Sequence, residues 1–338
     1  MKIAIVNDNI IAINTLRRII QSIPHYQIIW TAKSSDEAIN KSQENIPDLI
    51  LMDLMMPLMG GVAATQQIMK YSPCAILIVT TNMKANISQI YAAMGYGALD
   101  VMDTPTIDSK NFADLTDKLL EKIANIARLI KYSSQGKNTK LPESKKLFKS
   151  MQLVAIGAST GGPKALATIL SQLPANLNAA VAVVQHVDGS FSRGFADWLN
   201  QQTPLPVRLA QTGDRLQKGT VLIAGTNDHL HLKPDLTLAY TKNPIDYPYR
   251  PSIDVFFHSL AQHWQNKGTA ILLTGMGKDG AEGLNALKMQ GWHTIAQNKE
   301  SCIVYGMPKA AIELNAAVQV LSLENIAINL QLLLNKSC

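Results

Sequence analysis

Short apolar runs alternate along this chain with longer stretches in which apolar residues return every third or fourth position. In the first 130 residues, Ile3–Val6, Ile28–Trp30, Leu49–Met52, Ile76–Val79 and Ala98–Met102 read as strands. Helical spacing falls between them, at Ile11–Ile20, Glu37–Asn45, Val62–Met69, Ile87–Met94 and Phe112–Ile130. In the last of these, Phe112, Leu115, Leu119, Ile123, Ile126 and Ile130 make one apolar stripe. Five such β/α units predict a doubly wound parallel sheet with helices on both faces. After residue 150 the alternation resumes. Leu153–Ile156, Ala179–Val184, Thr220–Ala224 and Ala270–Thr274 are almost wholly apolar, as expected of strands covered on both sides.

Ligands of parallel sheets gather at the carboxyl ends of the strands, so the residues that follow each run carry the chemistry. In the first half these are Asn7-Asp8, Asp53 and Thr80-Thr81. Two carboxylates from different strands, Asp8 and Asp53, suit a hard divalent cation, most simply Mg²⁺. In the second half, Gly157-Ala158-Ser159-Thr160-Gly161 fits G-x-S-x-G, a strand-to-helix turn that exposes a serine hydroxyl. A plain tight turn or a phosphate-binding loop fits that pattern as well. A dinucleotide site does not, because Ser159 stands where the second glycine is needed. His186 and Asp279 likewise follow apolar runs, so one sheet would bring together a nucleophile, a base and an orienting carboxylate. The chain order Ser, His, Asp is not that of α/β-hydrolases. Gly275 and Gly277 beside Met276 would let main-chain N–H groups face an oxyanion. His229 and His231 could be a metal pair, but no further ligand stands at characteristic spacing.

Charge changes this picture only between the two halves. Of residues 128–149, seven are basic and one, Glu143, is acidic, which accounts for the whole net charge of +6. A solvated linker over 131–150 explains it without nucleic acid, dividing the chain into 1–130 and 151–338. Apolar content of 47% and no run long enough to span a bilayer describe a soluble protein without membrane insertion. The three cysteines, Cys74, Cys302 and Cys338, have no metal or disulfide spacing, as expected of reduced thiols in a cytoplasmic protein.

Residues 1–125 resemble the receiver domain of response regulators, through the acidic turn, the loop from Asp53 to Pro57, Thr80 and the turn Gly97-Ala98-Leu99-Asp100. The resemblance implies a flavodoxin-like fold with a five-stranded parallel sheet, phosphorylation of Asp53, Mg²⁺ on Asp8, and Thr80 as phosphate sensor. Two positions depart from it. Asn7 replaces a carboxylate, and Thr104, before Pro105, stands where receivers place a lysine; Lys84 or Lys110 could swing in to substitute. The second half resembles the catalytic domain of CheB-type protein-glutamate methylesterases at Ile156 to Pro163, Val183 to His186, Arg250-Pro251-Ser252-Ile253-Asp254, Leu273 to Gly280 and Val304 to Pro308. That resemblance implies a doubly wound α/β serine hydrolase with Ser159 as nucleophile, His186 as base and Asp279 as orienting acid. Thr160 and Met276 would neighbour the oxyanion, and the esterase would need no cofactor. It further implies methylated chemoreceptors as partners, a CheA-type histidine kinase as phosphodonor, and a receiver that covers the cleft until phosphorylated. Arg250 is a candidate for holding acidic receptor residues, or else pairs internally with Asp254. Ile5-Val6-Asn7-Asp8, Asp100 to Pro105 and Tyr247-Pro248-Tyr249-Arg250 look like the Wsp-type branch, which serves systems controlling a cyclic-di-GMP cyclase. The alternative is a catalytically inactive signalling protein that acts through its receiver.

Overall fold

The computed structural model describes residues 1–57, 59–106, 111–132 and 152–335. The chain divides into two compact units, Met1–Ser134 and Gln135–Cys338. The expected linker lies outside the described residues from 133 onward; Lys131 and Tyr132 still close the last helix of the first unit.

In the first unit, β1 (Lys2–Val6), β2 (Gln27–Ala32), β3 (Leu49–Met52), β4 (Ala75–Thr80) and β5 (Asp100–Asp103) form one parallel sheet in the order β2-β1-β3-β4-β5. Successive side chains of a strand point to opposite faces, and both faces here are buried. Ile3, Ile5, Leu49 and Leu51 pack with α1 (Ile10–Gln21) and α5 (Phe112–Tyr132). Ala4, Val6, Ile50 and Met52 pack on the other side with α2 (Ser35–Glu44), α3 (Gly60–Tyr71) and α4 (Ile87–Tyr96). Hence the runs are continuously apolar and not alternating. The fifth strand starts two residues later than the pattern suggests. Gly97 adopts φ +118° at the end of α4, and Ala98 donates its N–H back to the Ala93 carbonyl at 3.0 Å, so Ala98 belongs to the helix cap.

The second unit is built on a seven-stranded parallel sheet. Its strands are β6 (Gln152–Ala158), β7 (Ala179–Gln185), β8 (Val207–Leu209), β9 (Val221–Ile223), β12 (Thr269–Leu272), β13 (His293–Gln297) and β14 (Gln319–Leu321), in the order β14-β13-β12-β6-β7-β9-β8. An antiparallel hairpin, β10 (His229–Leu232) and β11 (Leu238–Thr241), stands apart from it. One face packs Leu153, Ala155, Ala182 and Leu272 against Phe256, Phe257 and Leu260 of α8 (Ile253–His263) and Leu284 and Leu287 of α9 (Ala281–Met289). Burying a side chain of this size stabilises by about 1.5–3 kcal/mol each. The chain starts in the middle of this sheet. β6 gains β7 on one side and β12 on the other, and the strand order reverses there, the place where such sheets open a crevice.

Candidate active site

Ser159 follows the last residue of β6. Its N–H donates to the Thr274 carbonyl at 3.0 Å, and its own carbonyl accepts from Gly162 at 2.7 Å, so the turn is pinned on both sides. Gly161, at φ +78°, opens α6 (Gly162–Leu170), and a Cβ there would lie 2.5 Å from Ile303 Cβ. Only glycine allows this turn. His186 follows β7, and its N–H donates to the Ala158 carbonyl at 3.0 Å, which fixes it beside the serine turn. The Gln185 side chain, buried between them, donates from Nε2 to the carbonyls of Ser159 at 2.9 Å and His186 at 3.1 Å. Gln185 thus ties the serine turn to the histidine turn, a supporting role that sequence reasoning does not single out because both contacts are to main chain.

Asp279 follows β12 by seven residues and is 1% exposed. Its Oδ2 lies 2.7 Å from His186 Nε2 and accepts from Ile253 N at 2.7 Å. Its Oδ1 accepts from Ser252 Oγ at 2.9 Å and Asp254 N at 3.0 Å. The first turn of α8 therefore cradles this carboxylate, where the helix dipole favours negative charge. Burial works to raise the Asp279 carboxyl. The hydrogen bond and charge of His186, together with the Ile253 and Asp254 N–H groups, outweigh that and hold it below the ordinary carboxylate value. Neighbouring Asp254 goes the other way. Burial pushes its carboxyl up, although it accepts from Gly283 N at 2.6 Å and Tyr247 Oη at 2.9 Å. An ionised carboxylate only accepts, so His186 Nε2 carries the hydrogen and Nδ1 keeps the ring's free lone pair.

Ser159, Thr160, His186, Asp188, Arg250 and Met276 line one open cavity of ≈ 530 Å³. Beside Met276, the N–H of Gly275 donates to the Val304 carbonyl at 3.0 Å. One expectation is corrected. Arg250 does not pair with Asp254; its guanidinium donates to the carbonyls of Ile245 and, at 3.4 Å, Lys242. His229 is spoken for on both nitrogens, Nδ1 accepting from Ser252 N at 3.0 Å and Nε2 facing the Pro244 carbonyl at 3.2 Å. Among the described residues no group of three or more His, Cys, Asp or Glu is placed to hold a metal ion.

At the carboxyl ends of the first sheet, Asn7, Asp8, Asp53 and Thr104 line a second cavity of ≈ 390 Å³. Asp53 is 6% exposed; its Oδ2 accepts from Asn7 Nδ2 at 3.0 Å and its Oδ1 from Met55 N at 3.2 Å. Burial raises its carboxyl, against the Met55 hydrogen bond. Asn7 spends its Oδ1 on the N–H of Asn9 at 2.8 Å. The site thus offers two carboxylates, an all-oxygen donor set that fits Mg²⁺ completed by water from the open side. Thr80 is fully buried at the end of β4. Thr104 is buried too, and its hydroxyl has no hydrogen-bond partner. Lys110 and the side chain of Lys84 lie outside the described residues.

The family profile for CheB methylesterase matches residues 154–330, the span that holds every residue of the first site. The chain belongs to the CheB methylesterase family. Residues 3–115 match the response regulator receiver domain, a domain that takes Mg²⁺ for its phosphorylation. The chain is 50% identical over 327 residues to protein-glutamate methylesterase/protein-glutamine glutaminase 2 of Cupriavidus metallidurans, covering 97% of this chain and 96% of that one. It is 48% identical to protein-glutamate methylesterase/protein-glutamine glutaminase 3 of Pseudomonas aeruginosa, over 97% and 98% of the two chains. The crystal structure of the Thermotoga maritima CheB methylesterase catalytic domain superposes with a TM-score of 0.52 at 37% identity. It covers 55% of this chain and 100% of that domain. Within this CheB-type chain, no described helix is long and apolar enough to cross a membrane.

Proposed function

We propose that the protein hydrolyses γ-methyl esters of glutamyl side chains on the cytoplasmic helices of methylated chemoreceptors, releasing methanol, under control of its receiver. The observation that carries this reading is the His186–Asp279 pair, bonded at 2.7 Å on the rim of the cavity that Ser159 lines. His186 Nδ1 takes the proton of Ser159 Oγ as that oxygen bonds the ester carbon. The imidazolium then returns the proton to the departing methoxide. Water, activated by the same nitrogen, attacks the glutamyl-enzyme and restores Ser159. Asp279 stays ionised throughout and holds the Nε2–H tautomer. Thr160 and Met276 line the same cavity as Ser159, which supports their main-chain N–H groups as donors to the oxyanion. A glutamine side chain would follow the same route with ammonia leaving, which supports deamidation as a second activity.

In the receiver, Asp53 is the phosphoryl acceptor and a CheA-type histidine kinase the donor. Asp8 and Asp53 would hold Mg²⁺, which supplies positive charge against the phosphoryl oxygens. The Thr80 hydroxyl would read the modified aspartate, and Thr104 lines the pocket that holds Asp53. Arg250, which lines the cavity, is a candidate contact for acidic receptor residues. Such work belongs at the cytoplasmic face of the membrane.

Methanol release from radiomethylated receptor membranes tests the reading. Ser159→Ala and His186→Ala should stay folded and lose on the order of 10⁴-fold in rate. Near-normal release from folded Ser159→Ala would end it, and no release from the wild type would leave a signalling protein without catalysis.

A further inference from the structure

The serine–histidine–aspartate chemistry leaves one neighbour of the base without a task. The ring of Tyr249 lies parallel to the imidazole of His186, with centroids 5.1 Å apart and planes inclined by 6°. This is the offset-stacked range for aromatic pairs, and it is also within reach of a cation held over a ring face. Tyr249 lines the same cavity as Ser159.

Its position is fixed from several sides. The segment between β11 and α8 folds back on itself, because Arg250 donates to the carbonyls of Lys242 and Ile245. Tyr247, two residues before, donates its hydroxyl to Asp254 Oδ2 at 2.9 Å and so ties the segment to α8. At its outer end, the Tyr249 hydroxyl rests on the Met276-Gly277 turn. A Cβ built on Gly277, which adopts φ +82°, would fall 1.9 Å from that oxygen. One tyrosine thus touches the base through its face and the oxyanion-side turn through its tip.

We propose that Tyr249 is a positioning residue for the general base, an inference that rests on the serine-hydrolase reading above. Asp279 tethers the imidazole at Nε2 alone, which leaves the ring free to swing about that bond. The Tyr249 face removes this freedom and holds Nδ1 toward Ser159. The same face is negative, and it meets a neutral ring before the proton moves and a cation afterwards. When the Ser159 O–H bond breaks, its electron pair goes to the new bond with the acyl carbon and its proton to Nδ1. The contact therefore strengthens in the transition state, so its loss lowers kcat and leaves KM nearly unchanged.

The test compares Tyr249→Leu, Tyr249→Phe and Ser159→Ala in the full chain, with a small phosphodonor and Mg²⁺ present throughout. Two rates are read: methanol release from a γ-methyl-glutamyl peptide, and labelling of Ser159 by a fluorophosphonate followed by intact mass. Tyr249→Leu should lower both roughly 3- to 30-fold with KM within about twofold, whereas Tyr249→Phe, which keeps the face, should stay within about twofold of the wild type. If Tyr249→Leu melts early, Tyr249→Met fills the volume without a π face and gives the same comparison. Rates for Tyr249→Leu or Tyr249→Met like those of the wild type would overturn the proposal, as would a loss in Tyr249→Phe equal to that in Tyr249→Leu. Unchanged labelling of Ser159→Ala would overturn the serine-hydrolase reading instead.

Discussion

Asp53 and Asp279 are both buried carboxylates, yet the protein moves their ionisation in opposite directions. For Asp279 the folded value lies below the unfolded one. Its contribution to stability is complete above the ordinary carboxylate range and fades as the pH falls through the lowered value. For Asp53 the folded value is the higher. Ionising it at neutral pH costs the native receiver stability, and that cost disappears as the pH falls toward the ordinary value. Asp53→Asn should accordingly raise the melting temperature of the receiver at pH 7. The advantage should shrink toward pH 4, measured by calorimetry at several pH values; a variant that melts lower at pH 7 contradicts this. Thr104 poses a different question, since its buried hydroxyl has no partner and no charge. A lysine in its place would reach the phosphoryl group across the ≈ 390 Å³ cavity with a bond of roughly 1.5–3 kcal/mol. Thr104→Lys should therefore raise phosphorylation-dependent activation, by roughly 10- to 100-fold in the active-to-masked ratio. Methanol release with and without phosphodonor, in wild type, Asp53→Asn and Thr104→Lys, reads this directly. Strong wild-type activation that depends on Asp53 and is not increased by the lysine would contradict it.

At the scale of elements, α8 is the part on which the site leans hardest. Ser252 caps it, accepting from Val255 N at 3.2 Å while donating to Asp279 Oδ1 at 2.9 Å. Ser252→Ala removes both bonds. It should cost about 1 kcal/mol, a few degrees of melting temperature in a unit of this size. It should also lower kcat roughly 10-fold through the lost bond to the carboxylate. Ser252→Thr keeps the hydroxyl and should recover most of each. A kcat unchanged in a destabilised Ser252→Ala would separate the cap from the catalysis. The long buried strands of both sheets are legible in the chain because covering two faces demands unbroken apolar runs. The three-residue strands β8 and β14 are too short to show any period. The hairpin β10–β11 is hidden because His229 sits fully buried at a position a histidine rarely occupies. Strand ends draw attention to Ser159, His186 and Asp279, but their register is a matter of which strands are neighbours. Ser252 and Gln185 are ordinary residues whose partners lie 27 and 26 residues away, so composition offers no signal for them. Tyr249 is visible only as part of a family-like segment.

For the molecule as a whole, two units with separate cores imply separate folding. A fragment lacking residues 1 to about 140 should be soluble and melt in one transition. If the receiver masks the cleft, the fragment should also release methanol faster than the unphosphorylated full chain. Aggregation would contradict independence, and equal rates would contradict masking.

The order in which the second sheet is filled bears on how the enzyme is born. β6 and β7 can pair once both have emerged, but β12 must close the other side of β6, and His186 waits 93 residues for Asp279. At about 5–20 residues per second, a ribosome takes roughly 5–20 s to cover that distance. Throughout that interval the exposed edge of β6 is an unpaired strand of seven residues, open to pairing with another nascent chain. The receiver, complete by then, can already be folded. Crowded synthesis thus tests this protein at one strand edge, and a polypeptide cut short before Asp279 leaves the ribosome carrying its serine without the means to use it.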